Sequence, residues 1–382
     1  MMTSRLRGSF PLLAIALLTL TVFAGPAHAI GLIRDAETEH IIRKYSEPIF
    51  RAAGLNPNAI SIHIVNDNSL NAFVAGGQRM FVNTGMIRRA DSPNMLIGVI
   101  AHETGHIAGG HLVTRRNAIE GNTAAAILSF VLGIGAVAAG AGDVGGAILA
   151  GGTSVAQRNI LEYTRVQEAA ADQAAMTYLN QVGWSGRGLV KTFELFRGYE
   201  VLSSRQQDPY LRSHPLSSER LSSLEDRVEN SPYKDRKDPN DWQFDHDMVR
   251  AKLAGFLDRP AVTFRRYPKS DQSAPARYAR AVAHHHASDL SKALTEISSL
   301  VEEYPDNPFL WELKGQILFE SGKAREAVAP YEKSVELLGD SPLLRVGLAQ
   351  AMLATEDPSL TKPAVEHLEK SLRYDRENSF AF

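Results

Sequence analysis

Apolar residues recur at helical spacing between Ile33 and Ala53. Ile41, Ile42, Tyr45, Ile49 and Phe50 share one broad face, and Gly54 marks the stop. The period then shortens to two. Ile60, Ile62 and Ile64 alternate and predict a strand. Ala72 to Ala75 and Met80 to Val82 flank Gly76-Gly77 and predict a hairpin. Helical spacing returns over Met95 to Thr114, behind Ser92-Pro93-Asn94 as a cap region, and over Asn159 to Gln181, closed by Gly183. This order predicts an α+β domain ending near Asn230, built of helices and a small antiparallel sheet. Ser231 to Asn240 is polar, alternates charge and holds Pro232 and Pro239, so it reads as a linker. Every apolar period beyond it is helical.

Two stretches do not fit this alternation. Residues 1–29 read as a cleaved secretory signal peptide, with Arg5 and Arg7 before the apolar run Pro11 to Phe23 and a small-x-small site at Ala27-His28-Ala29. Thr123 to Val155 is rich in Ala, Gly, Val and Ile, and Thr123 to Gly142 carries no charge. Three readings fit it: an apolar lid over a site, a buried core segment, or a segment that touches membrane.

Composition narrows the chemistry. The net charge of -2 argues against a dedicated nucleic-acid binder. The chain has no cysteine, so it holds no disulfide, no thiol nucleophile and no Cys-ligated zinc. A metal here must be held by His, Asp and Glu.

The Met95 to Thr114 pattern contains Ala101-His102-Glu103-Thr104-Gly105-His106. Residues four apart share a helix face, so both imidazoles can reach one Zn²⁺. Glu103 follows the first of them and can take a proton from water and return it to a leaving amine. A catalytic zinc has three protein ligands and one open position. A third His six residues after the second is one known solution, but Leu112 stands there. His111 comes one residue early and reads as a loop- or solvent-facing side chain. The better candidate is Glu168, in Glu168-Ala169-Ala170-Ala171-Asp172 on the next helix. Its alanines allow close packing against the His helix, and Asp172 can accept the far N–H of a ligating His.

This pair of motifs resembles the gluzincin metallopeptidases of the HtpX, Oma and CAAX-prenyl-endopeptidase group, and within it the periplasmic BepA-like zinc metalloproteases. Asn71-Ala72-Phe73 before Gly76-Gly77, Met80-Phe81-Val82, and Tyr163-Thr164-Arg165 ahead of Glu168 also match. So does Ser213-His214-Pro215 with Glu219-Arg220. The resemblance implies that His214 lies near the metal, in its fourth position or stabilising an oxyanion, and that Arg220 donates to substrate or loop. It implies that the strand of Asn71, Ala72 and Phe73 is an edge to which an extended substrate adds.

The last third repeats with a period of 34: Pro308 and Pro342, Ala281, Gly315 and Ala349, Ala293 and Ala327. Trp311, Gly315, Leu318, Ala327 and Tyr331 fit the tetratricopeptide pattern, in about three repeats behind a degenerate helix pair over Phe244 to Pro268. Glu332-Lys333-Ser334 recurs 37 residues on, as Glu369-Lys370-Ser371, so Asp357 to Lys362 carries a three-residue insertion. Stacked repeats leave a concave surface for a protein.

The expectation is a signal peptide (1–29), a zinc metalloprotease domain (30–230), a linker (231–243) and an all-α tetratricopeptide solenoid (244–382). The function expected is a zinc endopeptidase of the bacterial periplasm with one Zn²⁺ per chain. The resemblance implies quality control of outer-membrane proteins, with unfolded or misassembled proteins as substrates and the outer-membrane assembly machinery as a partner. The rival is a chaperone or scaffold with a latent or structural zinc site.

Overall fold

Asp35 starts the first helix. Its side chain accepts from the Thr38 N–H, and α1 runs over Ala36–Ala52. Its apolar face buries Ile41, Ile42, Tyr45, Ile49 and Phe50. The computed structural model describes residues 31–111, 164–197 and 214–375. The expected signal peptide, the apolar stretch Thr123 to Val155, and parts of the two predicted helices beside it lie outside these residues. From Leu32 onward the described residues belong to one compact unit. Among them no helix is long and apolar enough to cross a membrane.

Four strands form one sheet: β1 (Leu32–Ile33), β2 (Ser61–Val65), β3 (Ala72–Ala75) and β4 (Arg79–Asn83), in the order β1-β2-β4-β3. The hairpin turns at Gly76 and Gly77, whose φ values of 57° and 95° suit glycine. The expected antiparallel sheet is corrected to a mixed one, because β2 pairs with β4 in parallel. The connection between β2 and β3 skips one strand position, and β4 then returns into the gap. Hydrogen bonds hold that connection: the Gly85 N–H donates to the Asp67 carbonyl (2.8 Å) and the Asn83 amide to Ser69 Oγ (2.9 Å). β3 is left at the sheet edge.

After the short helix α2 (Thr84–Arg89), Pro93 occupies the first turn of α3 (Pro93–Ala108). The sequence suggested a helix to Thr114. It stops at Ala108 because Gly110 takes a φ of 62°, a left-handed conformation that ends helices. Helix α4 covers residues 164–182 and ends at Gly183, as the pattern indicated. Helices α5 (Arg187–Arg197) and α6 (Ser218–Glu229) complete the first part. Asn94 pins α5 to α3: its amide donates to the Ser185 carbonyl (2.9 Å) and its oxygen accepts from Gly188 N (2.7 Å).

The polar segment after α6 is tied back. Ser231 Oγ donates to Asn180 Oδ1 (2.6 Å), and Asp238 accepts from the Asn94 N–H (3.0 Å). Then come α7 (Asn240–Leu257) and α8 (Pro260–Arg266). Three helix pairs follow: α9 (Ala274–His286) with α10 (Leu290–Glu303), α11 (Pro308–Glu320) with α12 (Ala324–Leu337), and α13 (Pro342–Leu353) with α14 (Pro358–Tyr374). First helices start at 274, 308 and 342, second helices at 290, 324 and 358, so the 34-residue period recurs in the boundaries. The Tyr331 ring fills the space beside Gly315 and Gly347, where a Cβ would meet it at 2.8 Å on either side.

Charge is buried where α1 meets these helices. Lys252 Nζ lies 2.5 Å from Asp35 Oδ2, 3.5 Å from Glu37 and 3.3 Å from Glu312. The Tyr278 hydroxyl donates to Glu37 (2.8 Å).

Candidate metal centre

Helix α3 is buried on nearly every side, and the His102-Glu103-x-x-His106 turn lies at its C-terminal end. The i, i+4 spacing brings His102 Nε2 and His106 Nε2 to 3.1 Å. Helix α4 approaches closely. A Cβ on Gly105 would meet the Ala171 backbone at 3.0 Å. Of the three alanines, Ala171 is the buried one facing α3, while Ala169 and Ala170 are exposed. A Gly105→Val variant is therefore expected to push the helices apart, at a cost of about 1–3 kcal/mol. Thermal melting and zinc titration check this; an unchanged melt would contradict the close approach.

Glu168 enters the cluster from α4. Its oxygens lie 3.4 Å from His102 Nε2 and 3.5 Å from His106 Nε2. His214, just ahead of α6, adds Nδ1 at 3.0 Å from Glu168 and 3.4 Å from His102 Nε2. One ligand atom from each of His102, His106, Glu168 and His214 lies within 4.8 Å of every other, and all four residues are buried. Burying four such groups is costly unless something binds among them. Three imidazoles and a carboxylate at this spacing suit Zn²⁺.

Asp172 sits behind His102, with Oδ1 2.9 Å from His102 Nδ1. Arg220 on α6 grips it through Nε to Oδ2 and Nη2 to Oδ1, both 2.9 Å, and places Nη1 3.2 Å from Glu168. The guanidinium also lies over the Phe193 ring of α5, at 5.2 Å. Arg220 thus faces the site's carboxylates from behind.

The electrostatics follow from this packing. Burial opposes charge on His102, but hydrogen bonds to Asp172 and Glu168 outweigh it and lift its pKa to about 10. Burial and the His102 charge push His106 down to about 2. Glu168 falls well below the carboxylate range. Burial works against this, but the charges and hydrogen bonds of His214 and His102 prevail. Glu103 goes the other way. Burial raises it, Glu168 adds to the rise, and His214, His102 and the Val74 backbone only partly offset it. Glu103 Oε1 lies 3.4 Å from His214 Nε2, and neither of its oxygens makes a side-chain hydrogen bond among the described residues. Glu103 is thus a buried carboxylate at the edge of the cluster, beside strand β3.

Of the residues singled out in the sequence, His102, Glu103, His106, Glu168, Asp172, His214 and Arg220 come together here. Ala72 and Phe73 lie on the outer strand and Asn71 stands just ahead of it, with Asn71 Oδ1 buried and without a hydrogen-bond partner among the described residues. The sequence reading missed Phe193, whose helical segment carries no local sign of the site. It also placed His111 away from the site, whereas His111 Nδ1 lies 3.0 Å from His106 Nδ1. The left-handed turn at Gly110 carries it back.

A two-His helix with an adjacent buried glutamate, completed by a carboxylate from a second helix, defines the zinc metallopeptidases of the HExxH class. Residues 35–228 match the model of peptidase family M48, and the chain belongs to that family. Its metal is zinc, and the donor set fits it. The chain is 23 % identical over 306 residues to the beta-barrel assembly-enhancing protease of Yersinia pestis, covering 78 % of this chain and 61 % of that one. The protein of that name in Escherichia coli K12 is 24 % identical over 304 residues, covering 77 % and 61 %. Metalloprotease LoiP of Escherichia coli K12 is 27 % identical over 181 residues, 46 % of this chain and 65 % of that relative. The chain thus spans about three fifths of the first two relatives.

Proposed function

We propose that the chain is a periplasmic zinc endopeptidase acting in quality control of outer-membrane proteins. The observation that carries the reading is the buried His102, His106, Glu168 and His214 cluster with Glu103 at its edge. His102, His106 and Glu168 hold the metal. Bound zinc supplies Lewis-acid polarisation of the scissile carbonyl and makes water more acidic. Glu103 takes the proton of the attacking water and delivers it to the leaving amine. Asp172 fixes the His102 tautomer, and Arg220 fixes Asp172 and Glu168. An extended substrate adds to β3 as another strand.

His214 gives this site a latent form. It contacts Glu168 and approaches Glu103, so it stands where substrate and water must enter. Access then requires the residues around His214 to move.

The helix pairs from α9 onward form a tetratricopeptide solenoid that binds client proteins or the outer-membrane assembly machinery. The repeated boundaries and the Tyr331 packing support this. The names of the relatives point to β-barrel assembly as the setting. Residues 1–29 are the cleaved signal that takes the chain to the periplasm. The chaperone or scaffold alternative leaves the buried Glu103 carboxylate, raised by burial and set beside His214 at the edge of the cluster, without a purpose.

The test is cleavage of unfolded β-casein. Proteolysis is expected to stop when zinc is stripped by a chelator and to return when zinc is restored. Cleavage that continues after the metal is removed would sink the mechanism.

A further inference from the structure

His106 uses its two ring nitrogens differently. Nε2 faces the cluster, 3.1 Å from His102 Nε2, while Nδ1 lies 3.0 Å from His111 Nδ1. Two imidazole nitrogens at that distance bond only if one carries the proton and the other offers a lone pair. A histidine that binds metal through Nε2 keeps its proton on Nδ1. So His106 Nδ1–H donates and His111 Nδ1 accepts.

We infer that His111 is a positioning residue that sets the tautomer and ring angle of His106, as Asp172 does for His102. The inference rests on the zinc reading of the cluster. His111 is not a ligand in this arrangement, because the nitrogen it offers meets the far side of His106.

Local structure holds His111 in place. Gly110, just beyond α3, takes a left-handed conformation that breaks the helix and turns His111 off its line. A Cβ on Gly109 would strike the His111 ring at 2.4 Å, so glycine there makes room for it. The carbonyl of His111 accepts from Gln167 Nε2 (3.2 Å), and Gln167 immediately precedes Glu168. One turn thereby links the second His ligand to the helix that supplies the carboxylate. It also makes the two His ligands unequal: a charged carboxylate backs His102, and an imidazole backs His106.

The experiment uses the purified full chain, stripped of metal and titrated with zinc against a chromophoric chelator of known affinity. His111→Phe keeps the ring shape and removes the acceptor. It is expected to weaken zinc binding 10–100-fold, the range seen when such a partner is lost. His111→Asn offers Oδ1 near the place of Nδ1 and is expected to bind almost as tightly as wild type. Melting of the three metal-free proteins is expected to coincide. Wild-type affinity in His111→Phe would overturn the inference, and so would equal losses in Phe and Asn, which would mean packing alone. A wild-type chain that binds no zinc would overturn the zinc reading itself.

Discussion

Glu103→Gln is expected to lower the rate of β-casein cleavage by about 10²–10⁴-fold, the usual worth of a positioned general base. Zinc binding is expected to stay, because Glu103 is not among the four residues whose ligand atoms converge. The fold is expected to hold or gain stability. Glu103 is fully buried, its oxygens make no side-chain hydrogen bond among the described residues, and burial keeps its pKa above the ordinary carboxylate value. The folded chain therefore resists the charge that the reaction needs. Glutamine has nearly the same shape and no charge to desolvate. Loss of rate with an equal or higher melting temperature would show function opposing stability at one residue. Cleavage at the wild-type rate would remove Glu103 from the chemistry, and loss of zinc along with rate would make its role structural.

The parts of this site that the sequence reveals are those fixed by local geometry. His102 and His106 are four apart on one helix, and the 3.1 Å between their Nε2 atoms follows from that spacing. Glu168 and Asp172 are four apart too, and each meets His102. Gly183, Gly76 and Gly77 mark ends and turns because their positive φ values favour glycine. The 34-residue period appears in the helix starts, since each pair solves the same packing problem. The extra residues near Asp357 to Lys362 fall inside α14, which runs 17 residues against 14 for α12.

What the sequence hides depends on partners distant in the chain. Nothing in Ser61 to Asn83 says that β4 inserts between β2 and β3 rather than following β3 outward. The order goes with hydrogen bonds from β4 and the start of α2 back to the Asp67 to Asn71 connection. His111 fails a test built on a continuous helix because the helix is not continuous there. Arg220 could be placed near the site by resemblance. Its grip on Asp172, from 48 residues away, appears only when α4 and α6 are packed.

The buried cluster around Lys252 is the extreme case, with members at 35, 37, 252, 278 and 312. Lys252→Met is expected to destabilise the protein by about 3–5 kcal/mol, the cost of leaving buried charges without their partner. Asp35, Glu37 and Glu312 would lose the one ammonium they share. Urea unfolding measures the loss, and a change below about 1 kcal/mol, the level of an exposed pair, would mean that water reaches the cluster. The same cluster sets a pH dependence. Burial is the main reason that Glu37 is pushed from 4.5 up to about 7, with Lys252 opposing and Asp35 adding to it. The folded chain thus binds this proton more tightly than the unfolded chain does. Its contribution is full below pH 4.5, declines as pH rises toward 7, and is flat above. A rise of that size corresponds to about 3 kcal/mol. Glu37→Gln cannot lose a proton, so its stability relative to wild type is expected to climb by up to about 3 kcal/mol between pH 4.5 and 7. Asp35, held below its ordinary value despite burial by Lys252, acts in the opposite sense and weakens the fold only in stronger acid. The comparison of Glu37→Gln with wild type isolates the first effect. A difference that stays level across that window would mean that Glu37 ionises as freely folded as unfolded.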